Sequence, residues 1–202
     1  QWHLIEAVED LTIKKLQAIK PRYIFFPHWS WRVPEDILES FECVCFHMTD
    51  VPYGRGGSPL QNLIVRGHRE TKVTALRMVA DLDAGPVYIK RPLSLEGSAE
   101  AIYKRLAEAI FDIISEMVAS EQVPVPQSGE PVLFVRRTPA ESELPRTGQI
   151  QALYDHIRML DAPTYPPAFL DWGDFRLEFS EAGITDGTLG ARVVIRHKET
   201  LQ

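Results

Sequence analysis

The stretch Cys-Val-Cys-Phe-His-Met-Thr-Asp, from Cys43 to Asp50, holds both cysteines of the chain and a histidine two places after the second. Thiols and an imidazole at alternate positions raise three chemistries: a metal site, a redox pair, or a thiol activated by a neighbouring base. In an extended strand Cys43, Cys45 and His47 face the same way. From residue 43 to residue 47 such a strand covers roughly 13 Å, whereas zinc takes donors about 2.0 to 2.3 Å from one point. A straight strand cannot wrap all three around one ion, and with only two cysteines there is no second ligand pair, so no metal is expected. A disulfide between i and i+2 would distort the strand. A Cys–His pair at that spacing splays side by side, and no other residue bears the mark of covalent catalysis. Two small sulfurs turned toward a core is the plain reading of Cys43.

His47 stands where this strand ends, ahead of Met-Thr-Asp-Val-Pro-Tyr-Gly-Arg-Gly-Gly-Ser-Pro, a loop whose three glycines let backbone approach a ligand closely. Open α/β sheets bind ligands beyond the carboxyl ends of their strands. The position therefore fits a functional imidazole, and it equally fits a histidine satisfied at a strand end. A second polar cluster, Ala80-Asp81-Leu82-Asp83-Ala84-Gly85-Pro86, reads by itself as a solvated turn. A carboxylate reaching from it to His47 would change both readings, because such a partner raises an imidazole's basicity and makes a general base for neutral pH. The expectation is geometric: the two groups share one pocket.

The elements that must carry these groups alternate short apolar runs with amphipathic helices, punctuated by 15 prolines, which is the α/β pattern. The run from His3 to Val8 is expected as a strand, 10–20 as a helix, 23–27 as a buried strand stopped by Pro27, and 34–41 as a helix opened by Pro34. Cys43 to His47 is the next strand. Ser58 is placed to cap a helix that closes at Gly67. Two more strands flank the Asp81–Asp83 turn. The clearest helix runs from Ala99 to Ala119, with Ile102, Leu106, Ile110, Ile113 and Met117 in one stripe and Ser98 as cap. After the proline-rich segment Val-Pro-Val-Pro-Gln-Ser-Gly-Glu-Pro come a strand at 132–137, a helix near 149–160 and a hairpin around Thr185-Asp186-Gly187. This divides the chain into a core, 1–122, and a small C-terminal α+β subdomain, 123–202.

Net charge is −6, from 22 Lys and Arg against 28 Asp and Glu, so no global field draws the protein to a polyanion, and nucleic acid is not the expected partner. The N-terminus lacks the pattern of a secretory signal, and no apolar run approaches the length of about 20 residues that spans a bilayer. A cytoplasmic protein without membrane contact is expected.

Taken together, the run from His47 to Pro59, followed by Thr71 to Leu93 with its Leu82-Asp83-Ala84-Gly85, resembles the N10-formyltetrahydrofolate-dependent formyltransferase family. In that family a strand ends in Asn-x-His, a Pro-x-x-Arg-Gly loop follows, and a later Leu-Asp-x-Gly loop delivers an aspartate. Here those elements fall on His47, on Pro52, Arg55 and Gly56, and on Leu82, Asp83 and Gly85. Val132 to Ser142 is similar to the family's Phe-x-Arg-Arg-x-Pro segment, and Arg158 to Phe169 to a segment of the sugar N-formyltransferases. Several motifs in the right order are a far stronger signal than any one of them. In two places the chain departs from the family: Cys45 stands where the family has asparagine, and a strand and helix that usually precede residue 1 are missing, so the sequence is expected to be a piece.

The resemblance implies a Rossmann-like core with a mainly parallel sheet. It also implies transfer of a formyl group from N10-formyltetrahydrofolate, as co-substrate, to the primary amine of a small acceptor, an amino sugar by the brevity and weak basicity of the tail. The alternatives are a methionyl-tRNA formyltransferase-like enzyme and a folate- or sugar-binding protein weakened by Cys45. A second copy of the chain is the candidate protein partner. In this reading His47 takes the amine's proton, Asp83 holds the imidazole and helps protonate the leaving folate nitrogen, and Cys45 faces the developing oxyanion. Trp29, Trp31, Arg32 and Val33 would wall the pterin, with Asp81 and Leu82 offering backbone to its edge. Each tryptophan reads equally well as packing. Arg55, Gly56, Asn62, Tyr154 and Arg158 would serve the acceptor, with Asn62 as a substitute amide donor. For Tyr154 and Arg158, at i and i+4, ordinary helix packing is the competing reading.

Overall fold

The computed structural model describes residues 1–29, 31–163 and 165–201. The chain forms two compact units that interleave along the sequence. One comprises Gln1–Arg55, Lys72–Arg91 and Ala109–Val132, and the other Gly56–Thr71, Pro92–Glu108 and the chain from Leu133 onward. The boundary expected near Gln122 falls inside the third segment of the first unit. Hydrophobic periodicity marks elements but not which element packs on which, so it offers a single cut where the chain makes several.

In the first unit α1 (Ile13–Ile19) opens at Thr12, whose hydroxyl accepts the Lys15 N–H at 3.3 Å, and closes at Lys20 in the left-handed region. Strand β1 (Ile24–Phe26) stops before Pro27. Helix α2 (Glu35–Ser40) has two acids in its first turn, where the helix dipole favours them. Strand β2 is Cys43–His47, β3 is Tyr53–Gly56, β4 is Glu70–Arg77 and β5 is Val87–Ser94. The sheet order is β1-β2-β4-β5. β1 runs parallel to β2, with Phe26 opposite Cys45, and β2 runs antiparallel to β4, with Cys45 opposite Leu76 and His47 opposite Thr74. The α/β class holds, but the sheet is mixed rather than mainly parallel; short apolar runs look alike in either ladder, so strand direction was not in the pattern.

Leu11, Leu16, Phe26, Val33, Ile37 and Cys43 form a buried cluster, with Trp29, Cys45 and Met78 packed against it. Each aliphatic side chain fully buried there contributes about 1.5–3 kcal/mol. This core clamps the first half of β2 and so fixes where His47, at its other end, emerges. The expected strand at His3 to Val8 is absent among the described residues: Ile5 packs against the core cluster but Leu4 stays exposed, and a 3-10 turn, Val8–Asp10, takes the segment's last residue.

The second unit carries α3 (Pro59–Val65), most of β6 (Val132–Phe134), the start of α4 (Ala99–Ala119), α5 (Ile150–Arg158), and an antiparallel meander of β7 (Ala168–Trp172), β8 (Phe175–Thr185) and β9 (Thr188–His197). Asp186 and Gly187 both take positive φ, as a two-residue hairpin turn of this twist requires. The apolar stripe of α4 is buried along its length, and the Ser98 hydroxyl accepts the Ala101 N–H at 3.3 Å. Ser58 precedes α3 but does not cap it. Its backbone lies in the left-handed region, away from the extended conformation a capping side chain uses, and its hydroxyl accepts the Arg137 N–H instead. Among the described residues no helix is long and apolar enough to cross a membrane.

Candidate functional site

The end of β2 and the turn between β4 and β5 bring His47 and Asp83 together inside the first unit. His47 is 8% exposed, and its Nδ1 lies 3.5 Å from Asp83 Oδ2. The other ring nitrogen, Nε2, is 2.7 Å from the Gly54 carbonyl oxygen. A carbonyl can only accept, so Nε2 carries a hydrogen and Nδ1 is the nitrogen with a lone pair, the one that faces the carboxylate. The tautomer is thus set by backbone rather than by Asp83. Thr49 reinforces the arrangement: its hydroxyl donates to the same Gly54 carbonyl at 3.2 Å, and its own carbonyl accepts the Thr74 hydroxyl at 2.7 Å. Gly54 has φ +78, a conformation that swings its carbonyl toward His47 at no Cβ cost.

Asp83 takes the left-handed conformation, φ +52, in a turn with little room. A Cβ at Gly85 would stand 1.8 Å from the Arg77 carbonyl oxygen, so only glycine fits there. Gln127, inside the proline-rich segment, donates from Nε2 to the carbonyls of Asp83 and Gly85, both at 2.8 Å. Its Oε1 accepts Arg55 Nε at 3.1 Å and Nη2 at 2.7 Å. Sequence reasoning passed over Gln127 and Thr49. The signal for Gln127 is faint, one polar residue in a stretch read only as a separator; for Thr49 it is proximity to His47.

Cys45 turns its thiol to a carbonyl of the neighbouring strand. Its Sγ lies 3.8 Å from the Leu76 carbonyl, and burial first, then the negative charge of Asp83, pushes its pKa up to about 12. Burial, and after it Glu42, raises Cys43 to about 12 as well, with Arg77 opposing. Both thiols are free. The weak S–H donor of Cys45 is engaged with the Leu76 carbonyl, so its expected oxyanion role would require this bond to be given up. In the unfolded chain these thiols ionise near pH 9 and in the folded chain near 12, so the unfolded state binds fewer protons between those values. Their contribution to stability is complete below pH 9 and is lost as pH rises toward 12. Urea melts across this range should show that decline, reduced in a Cys43→Ala, Cys45→Ala variant, and iodoacetamide at pH 8 should label both cysteines only after unfolding.

The other predicted residues are dispersed. Trp29 packs edge-on to Phe26 and Trp31, at 5.6 and 5.1 Å between ring centroids, and with Trp31 it lines a cavity of about 700 Å³ made by the N-terminal segment and β1. Neither His47 nor Asp83 lines that cavity. Trp31 is 55% exposed, Arg32 is an exposed partner of Glu35 at 2.9 Å, and Val33 is core. These four answer to packing and surface pairing. Asp81 is exposed, and Leu82, 72% exposed, stands out from the turn. A second groove, of about 410 Å³, is lined by Leu38, Arg77, Met78, Val79, Ala80 and Pro86, where α2 meets the turn that leads to Asp83.

In the second unit Asn62 spends its amide on three backbone carbonyls, those of Gly57, Ser58 and Val135 at 2.9 to 3.1 Å, while its oxygen accepts from Arg66. It ties loops together and has no donor to spare for a substrate. Gly56 is glycine because a Cβ would stand 2.4 Å from the Phe134 carbonyl oxygen. Arg158 is only 2% exposed: it donates to Asp155 and to the carbonyls of Leu95 and Gly97, and its guanidinium lies 5.5 Å from the Tyr154 ring centre. The expected acceptor wall is a buried structural clamp. The i, i+4 spacing put the two residues on one face correctly but could not tell what covers it.

Among the described residues no group of three or more His, Cys, Asp or Glu is placed to hold a metal ion.

Residues 139–196 match the family model described as the methionyl-tRNA formyltransferase C-terminal domain. The chain is similar to the methionyl-tRNA formyltransferase of Thermodesulfovibrio yellowstonii, 24% identical over 201 residues that cover 96% of this chain and 65% of that protein. It is therefore somewhat under two thirds of that curated relative's length. Among solved structures it is similar to a methionyl-tRNA formyltransferase from Clostridium thermocellum, with TM-score 0.92 and 47% identity over 96% of this chain and 86% of that one. It is also similar to a 4-N formyltransferase from Francisella tularensis, with TM-score 0.64 and 15% identity over 91% and 75%, a likeness of fold alone.

Proposed function

The chain belongs to the formyltransferase family, and from that premise we propose that it transfers a formyl group from N10-formyltetrahydrofolate to a primary amine, with His47 and Asp83 handling the proton. The observation that carries the reading is the pairing itself: an imidazole whose Nε2–H is anchored on the Gly54 carbonyl and whose Nδ1 faces Asp83 at 3.5 Å. As the amine nitrogen bonds to the formyl carbon it must lose a proton, and His47 Nδ1 receives it. The imidazolium then has an acceptor on each side, the Gly54 carbonyl and the Asp83 carboxylate. When the bond from the formyl carbon to folate N10 breaks, the proton passes to that nitrogen, with Asp83 guiding the return. Cys45 and Asn62 are turned to backbone carbonyls, so neither is assigned to the developing oxygen charge.

For the folate, the groove beside the Asp83 turn is preferred over the tryptophan-lined cavity. Its volume lies in the range of small-molecule sites, and Ala80 and Pro86 in its lining flank the turn whose Asp81 and Leu82 are expected to meet the pterin.

The acceptor is revised. The amino sugar was inferred from a short, weakly basic tail, but that tail matches the methionyl-tRNA formyltransferase C-terminal domain, and the 47% identical relative bears that enzyme's name, against 15% for the 4-N formyltransferase. We therefore propose methionyl-tRNA as acceptor. Residues 139–202 hold six Lys and Arg against ten Asp and Glu, so few phosphates would be neutralised and the salt dependence should be shallow. The test supplies N10-formyltetrahydrofolate with methionyl-tRNA or with a panel of nucleotide-linked amino sugars and follows tetrahydrofolate release and product mass. Formylated methionyl-tRNA is expected. Release only with amino sugars would restore the sugar reading, and folate binding without release would indicate a binding protein.

A further inference from the structure

We infer that Gln127 is a positioning residue for the His47–Asp83 pair, acting through the turn that carries Asp83; the inference rests on the formyl-transfer reading of that pair. The segment bearing Gln127 is tied down on both sides. Val125 and Val87 exchange backbone hydrogen bonds at 2.8 Å, and the Val132 N–H donates to the Pro52 carbonyl at 3.1 Å. Between these anchors the Gln127 side chain is half-buried and uses both ends of its amide. Its orientation is dictated by chemistry, because a guanidinium only donates and a peptide carbonyl only accepts, so Oε1 must face Arg55 and Nε2 must face the turn.

That turn needs an external hold. A non-glycine residue at φ +52 costs about 1–3 kcal/mol, and the turn's own Ala84 N–H to Asp81 carbonyl bond is long, at 3.3 Å. Gln127 adds two short bonds, one to the carbonyl of Asp83 itself and one two residues later. At its other end it grips Arg55, the neighbour of Gly54, whose carbonyl orients His47 Nε2. One side chain thus joins the two backbone segments that hold opposite nitrogens of the same imidazole.

Gln127→Glu in the full-length protein is the sharpest test. It keeps the size and the Arg55 contact but removes both donors and sets a carboxylate against two carbonyls. A displacement of Asp83 by about 1 Å corresponds to a loss of roughly 100-fold in kcat, with the KM for the folate donor changed by less than about threefold. Amide hydrogen exchange in residues 81–85 should accelerate about tenfold or more. Because the effect runs through Asp83, the same change in an Asp83→Asn background should cost no more than about threefold; a residue with a merely structural role would give additive losses. Additive losses with unaltered exchange would overturn the inference. If the wild-type protein transfers no formyl group to any acceptor, the reading of the site fails on that control. The exchange measurement then decides separately whether Gln127 holds the turn.

Discussion

His47→Ala is expected to lower the rate of formyl transfer by about 1,000-fold or more, the upper part of what a positioned acid–base group supplies, while folate affinity measured by calorimetry stays close to wild type. The split follows from where the imidazole's contacts lie. His47 faces the Gly54 carbonyl and the Asp83 carboxylate, and neither it nor Asp83 lines the groove assigned to the folate. Removing the ring takes away the nitrogen that faces the Asp83 carboxylate. The variant leaves the Gly54 carbonyl with the Thr49 hydroxyl as a remaining donor, so the loop keeps one of its two ties and a thermal melt should show a folded protein. A rate loss under about tenfold would remove His47 from the chemistry. A loss of folate affinity equal to the loss of rate would place the imidazole in the binding groove instead.

That this pair could be named from sequence, and its fastening could not, has a physical reason. His47 was legible because a strand end, a glycine loop and a later Asp-x-Gly turn are local patterns, each confined to a few adjacent residues. The Gly54 carbonyl is a backbone atom without a side-chain signature, and its role appears only when φ +78 turns it inward. Gln127 lies 44 residues from Asp83 and 72 from Arg55. A glutamine among prolines carries no mark of either partner. Arg158 illustrates the opposite error: helical spacing placed it beside Tyr154, but the carbonyls of Leu95 and Gly97 that bury it come from more than 60 residues away. Asn62 was misread for the same reason, its amide being consumed by a carbonyl 73 residues distant and two nearby. Periodicity gave α4 its buried stripe correctly because that pattern is intrinsic to one helix, whereas the interleaving of two units depends on contacts no single element records.

Gly85→Ala should disable the site from a residue that touches no reacting group. An added Cβ would lie 1.8 Å from the Arg77 carbonyl oxygen and 2.9 Å from its carbon, both backbone atoms that cannot swing aside. Arg77 is held in place by its own N–H, which donates to the Pro86 carbonyl at 2.9 Å, so relief requires opening the base of the turn. Such overpacking costs about 1–3 kcal/mol in stability, and the opening displaces Asp83, two residues earlier, for a further rate loss on the order of 100-fold. Gly67→Ala supplies the comparison: there φ is +81 but nothing lies within 4 Å of the new methyl group, so only backbone strain of about 1 kcal/mol is expected and the rate should hold. Denaturant melts and single-turnover rates on both variants separate the two effects. If Gly85→Ala melts like Gly67→Ala and transfers formyl at the wild-type rate, the turn has slack, and the claim that its tight closure against Arg77 aims Asp83 at the imidazole fails.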